Sequence, residues 1–127
     1  MFGDAMKRLA MLGALALLAA CGGKSKGYYP PVTGGDAGRG RELIRAYGCG
    51  ACHTIPGVQG ASGVVAPPLT LFARRTFIAG EIPNTPDNLV HWIRMPESIE
   101  PHTAMPNLGV TDQQARDIAA FLYQTEE

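Results

Sequence analysis

Within five residues, Cys49-Gly50-Ala51-Cys52-His53, the chain places two thiols two positions apart and an imidazole directly after them. The pattern C-x-x-C-H suits covalent capture of one porphyrin, because the thiols can add to its two vinyl groups and the histidine can offer a ring nitrogen to the iron. Cys49 and Cys52 are therefore expected to carry one haem c, with His53 as the proximal iron ligand. Such a chain must build part of its core from the cofactor.

Three other chemistries compete for the same residues. A thioredoxin-like dithiol needs a preceding strand, whereas Ala37, Gly40, Leu43, Ile44 and Tyr47 recur at helical steps between a capping Asp36 and a terminating Gly48. A zinc site needs further Cys or His at regular spacing, which the sequence does not offer. A disulfide across two residues is strained.

The N-terminus reads as an export signal. Lys7 and Arg8 precede an apolar stretch from Leu9 to Ala20 and then Cys21, a charged region followed by a hydrophobic one of leader length. Leu18-Ala19-Ala20-Cys21 resembles the lipobox of bacterial lipoproteins, so residues 1–20 are expected to be removed and Cys21 lipidated. Leu9 to Cys21 spans 13 residues, short of the roughly 20 that a membrane-spanning helix needs. The three cysteines are then all used, Cys21 by lipid and Cys49 and Cys52 by haem, with none left for a disulfide. Both modifications belong to the periplasmic side of a bacterial cell envelope.

Residues 21–35 are rich in glycine and proline without apolar periodicity and read as a flexible linker, leaving 36–127 as one small domain. A domain of that size is at the lower limit for a self-sufficient core, a deficit that a haem would offset. The whole chain balances 11 Lys and Arg against 11 Asp and Glu. Loss of a leader holding Lys7, Arg8 and Asp4 leaves a net charge of −1, with nothing to suggest a nucleic-acid partner. Arg39, Arg41 and Arg45 gather on the first helix; a solvated face accounts for them, and so would a docking patch.

Two more helices are punctuated clearly. Thr85 and Pro86 suit a cap and first turn, followed by Leu89, Val90, Trp92 and Ile93 on an apolar face and a stop at Pro96. Thr111 and Gln114 form a capping-box pair ahead of Ala115, Ile118, Ala119 and Leu122. No strand pattern exceeds a few residues, so an all-α domain with irregular loops is expected.

The order Gly40-x-x-Leu43, C-x-x-C-H, Ala66-Pro67-Pro68-Leu69, Met105-Pro106-x-Leu108 and then Thr111 with its helix resembles the class I cytochromes c, over about Asp36 to Tyr123. That resemblance implies three main helices with loops wrapping one covalent haem. It also implies a first helix crossing the last so closely that Gly40 faces Phe121. It places Met105 as the distal iron ligand, with Met95 in packing, and the Pro67 carbonyl as acceptor for the His53 ring N–H. Leu69, Leu108 and Ile93 become candidates for the haem wall. Trp92 could hydrogen-bond a propionate, and Arg74 or Arg75 could neutralise one. His91 and His102 read as surface residues.

The stretch Leu69 to Ile93, with Arg74-Arg75-Thr76, Ala79-Gly80, Pro83-Asn84-Thr85-Pro86, Asn88-Leu89 and Trp92, is similar to the cytochrome c domain fused to subunit II of some haem-copper oxidases. The resemblance implies a one-electron carrier, without substrate chemistry of its own, that exchanges electrons with a haem-copper oxidase or a quinol–cytochrome c reductase. A methionine as sixth ligand suits that role, since it raises the potential and closes the iron to small molecules. A haem enzyme or gas sensor, with a displaceable distal ligand, is the rival reading.

Overall fold

The computed structural model describes residues 31–125. The expected leader, Cys21 and most of the linker lie outside the described residues. Helix α1 (Ala37–Ala46) starts where the Asp36 carboxylate accepts from the Arg39 amide at 2.8 Å, satisfying a donor that the helix cannot. It ends at Tyr47, after which Gly48 takes a left-handed φ of +72° and turns the chain into a short 3₁₀ segment, Cys49–Ala51. Helix α2 (Pro86–Arg94) is capped by Thr85, whose hydroxyl accepts from the Asn88 amide at 3.3 Å, and Pro96 follows its end. Helix α3 (Asp112–Leu122) has the full capping box: Thr111 Oγ1 accepts from the Gln114 amide at 3.3 Å, and Gln114 Oε1 from the Thr111 amide at 3.0 Å. A two-stranded antiparallel ribbon, β1 (Phe77–Ile78) and β2 (Ile82–Pro83), pairs Ile78 with Ile82. The class is all-α, as expected.

Helices α1 and α2 both pack on α3. The core is Ile44 from α1, Leu89, Val90 and Ile93 from α2, and Ala115, Ile118, Ala119 and Leu122 from α3. At the α1–α3 crossing a Cβ on Gly40 would lie 1.9 Å from the Asp117 carbonyl oxygen, so the two backbones touch there. The nearest atoms there belong to the backbone one turn before the expected Phe121, because a bare backbone can be approached more closely than an aromatic ring. Phe121 also reaches Gly57, where a Cβ would be 3.5 Å from its ring.

Asp117 is buried at this crossing and fully partnered. Its carboxylate accepts from the Asp36 amide at 2.8 Å, from Arg39 Nε at 3.0 Å and Nη2 at 3.1 Å, and from Gln113 Nε2 at 3.0 Å. The Arg39 guanidinium, with the other donors, holds the acid below the usual carboxylate range. Packing also begins earlier than the expected boundary at Asp36. Val32 is buried, Gln113 donates to the Gly34 carbonyl at 2.7 Å, and a Cβ on Gly35 would meet the Arg116 carbonyl at 2.5 Å. Glycines that read as flexibility in the sequence are what let residues 32–35 lie flat on α3.

Two outcomes are expected. Gly40→Ala should cost about 3 kcal/mol or more, because the methyl meets main chain that cannot rotate away; urea unfolding of the haem-loaded protein measures it. Asp117→Asn should cost about 1–3 kcal/mol at pH 7 by leaving buried donors mismatched. The folded acid sits below its unfolded value of about 3.9, so its contribution is complete at neutral pH and lost as the pH falls through the folded pKa. Unfolding curves of wild type and variant should therefore converge in acid.

Candidate haem site

An apolar cleft of about 440 Å³, counted out to the open solvent, runs between the helices and the two long loops. Ile44 contributes from α1, Ile93 from α2, and Ile118 and Leu122, one helical turn apart, from α3. Ile55, Leu69, Leu108 and Val110 complete the walls, and Cys49, His53 and Met105 bring in sulfur and nitrogen. The three wall residues expected from sequence, Leu69, Leu108 and Ile93, are all present. Ile44, Ile55, Val110, Ile118 and Leu122 were not anticipated, although the i, i+4 spacing of the last two marks one helix face.

The His53 ring is oriented by a hydrogen bond from Nδ1 to the Pro67 carbonyl at 2.7 Å. With Nδ1–H as donor, Nε2 keeps its lone pair free for a metal. The backbone around it is tightly laid. A Cβ on Gly63 would lie 2.5 Å from the Ala51 carbonyl oxygen, and one on Gly50 would lie 2.6 Å from Ala61, so only glycine allows loop 60–63 to cover Cys49–His53. Cys49 is half-buried in the cleft, and Cys52, one turn on, is exposed and not among the lining residues; both are free thiols. Burial pushes the Cys49 thiol up. Beside Cys52 stand Val64 and Val65, 90% and 80% exposed, and from Ala46 to Ala73 the sequence has no Asp, Glu, Lys or Arg.

Met105 comes to the same cleft from the loop between α2 and α3. Its amide donates to Thr103 Oγ1 at 3.1 Å, and two residues on Asn107 Nδ2 donates to Glu97 Oε1 at 3.1 Å. The Asn107 amide holds the Glu97 acid below the usual range. Met95 is 43% exposed and outside the cleft. His91 and His102 are exposed; the His91 ring pairs with Ser98 Oγ at 3.0 Å. The donor set that remains, two thiols, an imidazole with a free nitrogen and a thioether in an apolar slot, fits a covalent haem with two axial ligands.

Two expected haem neighbours are not brought to the cleft. Trp92 is half-buried against the core and not among the residues lining the slot, and Arg74 is exposed with no ion pair among the described residues. Helical geometry accounts for Trp92: Ile93 faces the slot, and adjacent residues on a helix point about 100° apart. Arg75, the alternative to Arg74, is half-buried and donates to the Pro68 and Thr70 carbonyls. A second hollow of about 410 Å³, between α1 and loop 58–61, is lined by small and aliphatic residues with Gln59 and Arg45 and offers no imidazole or thioether.

Comparison with known proteins agrees with this geometry. The chain is 34% identical over 86 residues to cytochrome c oxidase subunit 2 of Alkalihalophilus pseudofirmus, covering 68% of this chain and 24% of that one. The same subunit of Bacillus subtilis is 32% identical over 82 residues, 63% of this chain and 23% of its own length. The chain thus spans about a quarter of the length of these two relatives. Cytochrome c-552 of Bradyrhizobium diazoefficiens is 28% identical over 87 residues, 68% of this chain and 72% of that protein. No solved structure is a significant match. The profile of the family described as cytochrome c matches residues 37–126, α1 through the end of α3, and the chain belongs to that family of electron carriers with covalently bound haem c.

Proposed function

We propose that this chain is a membrane-tethered, monohaem electron carrier whose haem is bound by Cys49 and Cys52 as thioethers and by His53 Nε2 and Met105 Sδ at the iron. The observation that carries the reading is the convergence of His53 and Met105 on one apolar cleft, with the His53 ring already oriented by the Pro67 carbonyl. When bound, the haem supplies a one-electron couple. The residues do the rest: His53 is held in the tautomer that leaves Nε2 free, and the Thr103 and Asn107 bonds set Met105 on a braced loop. Ile44, Ile93, Ile118 and Leu122 exclude water, which favours the less charged, reduced form. With His53 and Met105 both holding the iron, a bound haem would leave a substrate no place on the metal, which suits transfer and not chemistry on a small molecule.

Similarity to oxidase subunits, together with the leader and Cys21 in the sequence, supports service in a respiratory chain on the periplasmic side, with a haem-copper oxidase or a quinol–cytochrome c reductase as the exchange partner. Among the described residues no helix is long and apolar enough to cross a membrane, so attachment would rest on the lipid at Cys21 and the chain between it and Val32.

Oxidised and reduced optical spectra, with and without carbon monoxide, test the ligation. A low-spin c-type spectrum with a sulfur-to-iron charge-transfer band and no response to carbon monoxide is expected. Met105→Ala should lose that band and bind carbon monoxide, while Met95→Ala should leave both unchanged. A wild-type protein that carbon monoxide shifts readily would mean an open distal site and a haem enzyme or sensor. For the tether, Cys21→Ser is expected to move the protein from the membrane to the soluble periplasmic fraction; retention in the membrane would rule out lipid attachment there.

A further inference from the structure

Residues Pro67 to Thr70 form a strap across the His53 side of the cleft, and its carbonyls are satisfied in an unusual way. Pro67 and Pro68 have no N–H and cannot join a ladder. Three of the four successive carbonyls instead accept from side chains, Pro67 from His53 Nδ1 at 2.7 Å, and Pro68 and, at 3.4 Å, Thr70 from Arg75 Nη2, while Thr125 Oγ1, which donates to the Leu122 carbonyl at 2.7 Å, lies 3.4 Å from the Leu69 carbonyl. The strap's amides pin it to the attachment segment, Ala66 to the Cys52 carbonyl at 2.9 Å and Leu69 to the Thr54 carbonyl at 2.8 Å.

Arg75 is the one side chain that spans two of these carbonyls, and it is itself held. Its guanidinium carbon stands 5.4 Å from the centre of the Phe72 ring, in reach of a cation–π contact. Its own carbonyl accepts from Asn84 Nδ2 at 3.0 Å, and Asn84 Oδ1 accepts from Tyr123 Oη at 2.7 Å. It makes no ion pair among the described residues. Both of its acceptors are main-chain oxygens of the strap, so the half-buried guanidinium braces backbone there.

We propose that Arg75 is a positioning residue for the axial histidine: by clamping the carbonyls of Pro68 and Thr70 it fixes the Pro67 carbonyl against which the His53 ring is oriented. The inference rests on the reading of His53 as an iron ligand. A guanidinium suits the task, since Nη2 carries two N–H groups for the two oxygens while the guanidinium carbon stays within cation–π reach of Phe72. Arg74, next in the chain but exposed, has no such role.

The test uses the haem-loaded protein with Arg75→Gln and Arg75→Lys. In the reduced, diamagnetic state NMR follows hydrogen exchange of the His53 Nδ1 proton, and electrochemistry follows the reduction potential. In Arg75→Gln that ring proton should exchange roughly tenfold faster or more and the potential should shift, while amides at the α1–α3 crossing keep their protection. Arg75→Lys, which keeps the charge but not the fork, should fall between. Thr125→Val, which removes the Leu69 contact together with the Thr125 hydroxyl's bond to the Leu122 carbonyl at the end of α3, should move exchange in the same direction and less. Unchanged exchange and potential in Arg75→Gln would overturn the proposal, as would a uniform rise in exchange across the domain, the mark of lost stability alone. Unchanged exchange with a new pH dependence of the potential would assign the guanidinium to a haem propionate instead, and would also overturn it. Wild-type spectra lacking histidine–methionine ligation would instead sink the ligand assignment, before any variant is compared.

Discussion

The contact between the Gly40 backbone and the Asp117 carbonyl sets the distance between the first and last helices, and the cleft inherits its shape from that distance. Ile44 lies one turn beyond Gly40 and Ile118 one residue beyond Asp117, so the two inner walls of the slot are spaced by the crossing. The close approach then makes a carboxylate at Asp117 tenable. Arg39, Gln113 and the Asp36 amide surround it, so the helix start, the crossing and the segment from Val32 are tied at one buried anion. Donors on that scale offset the desolvation that an isolated buried acid would suffer.

Away from the crossing, the cleft is closed by loops, and each is fastened near the side chain it brings there. The attachment segment is overlaid by loop 60–63 through glycine contacts, and the strap after it is held by side-chain donors in place of a ladder. The methionine loop is braced at Thr103 and at Asn107. Burial pushes the Tyr123 hydroxyl up to about 12, so it remains a protonated donor to Asn84 across the neutral and moderately alkaline range. Through Asn84, which donates to the Phe72 and Arg75 carbonyls, that bond ties the end of α3 to the segment that follows the Pro67 strap.

Local features carried most of the fold, because helix caps and attachment motifs are decided within five or six residues. Asp36, Thr85 and the Thr111–Gln114 pair cap where their spacing predicted. Cys49, His53 and Met105 meet in one slot, with Leu69, Leu108 and Ile93 in its walls. The misreadings were all of long-range contact. The crossing brings Gly40 onto the Asp117 backbone, Arg75 and not Arg74 is half-buried, and residues 32–35 pack where composition read as linker.

By itself the sequence determined the haem chemistry and the order of the helices, since covalent attachment, capping and apolar periodicity need only neighbours along the chain. Tertiary structure decided which turn of α3 receives Gly40, that Asp117 becomes a buried anion, and that Arg75 rather than Arg74 turns inward. Those outcomes depend on donors and acceptors brought together from 78 to 81 residues apart at Asp117 and, around the strap, from as far as Leu69 to Thr125. No periodicity or local spacing reports such pairs, because each polar group must find its partner only after the apolar faces have closed.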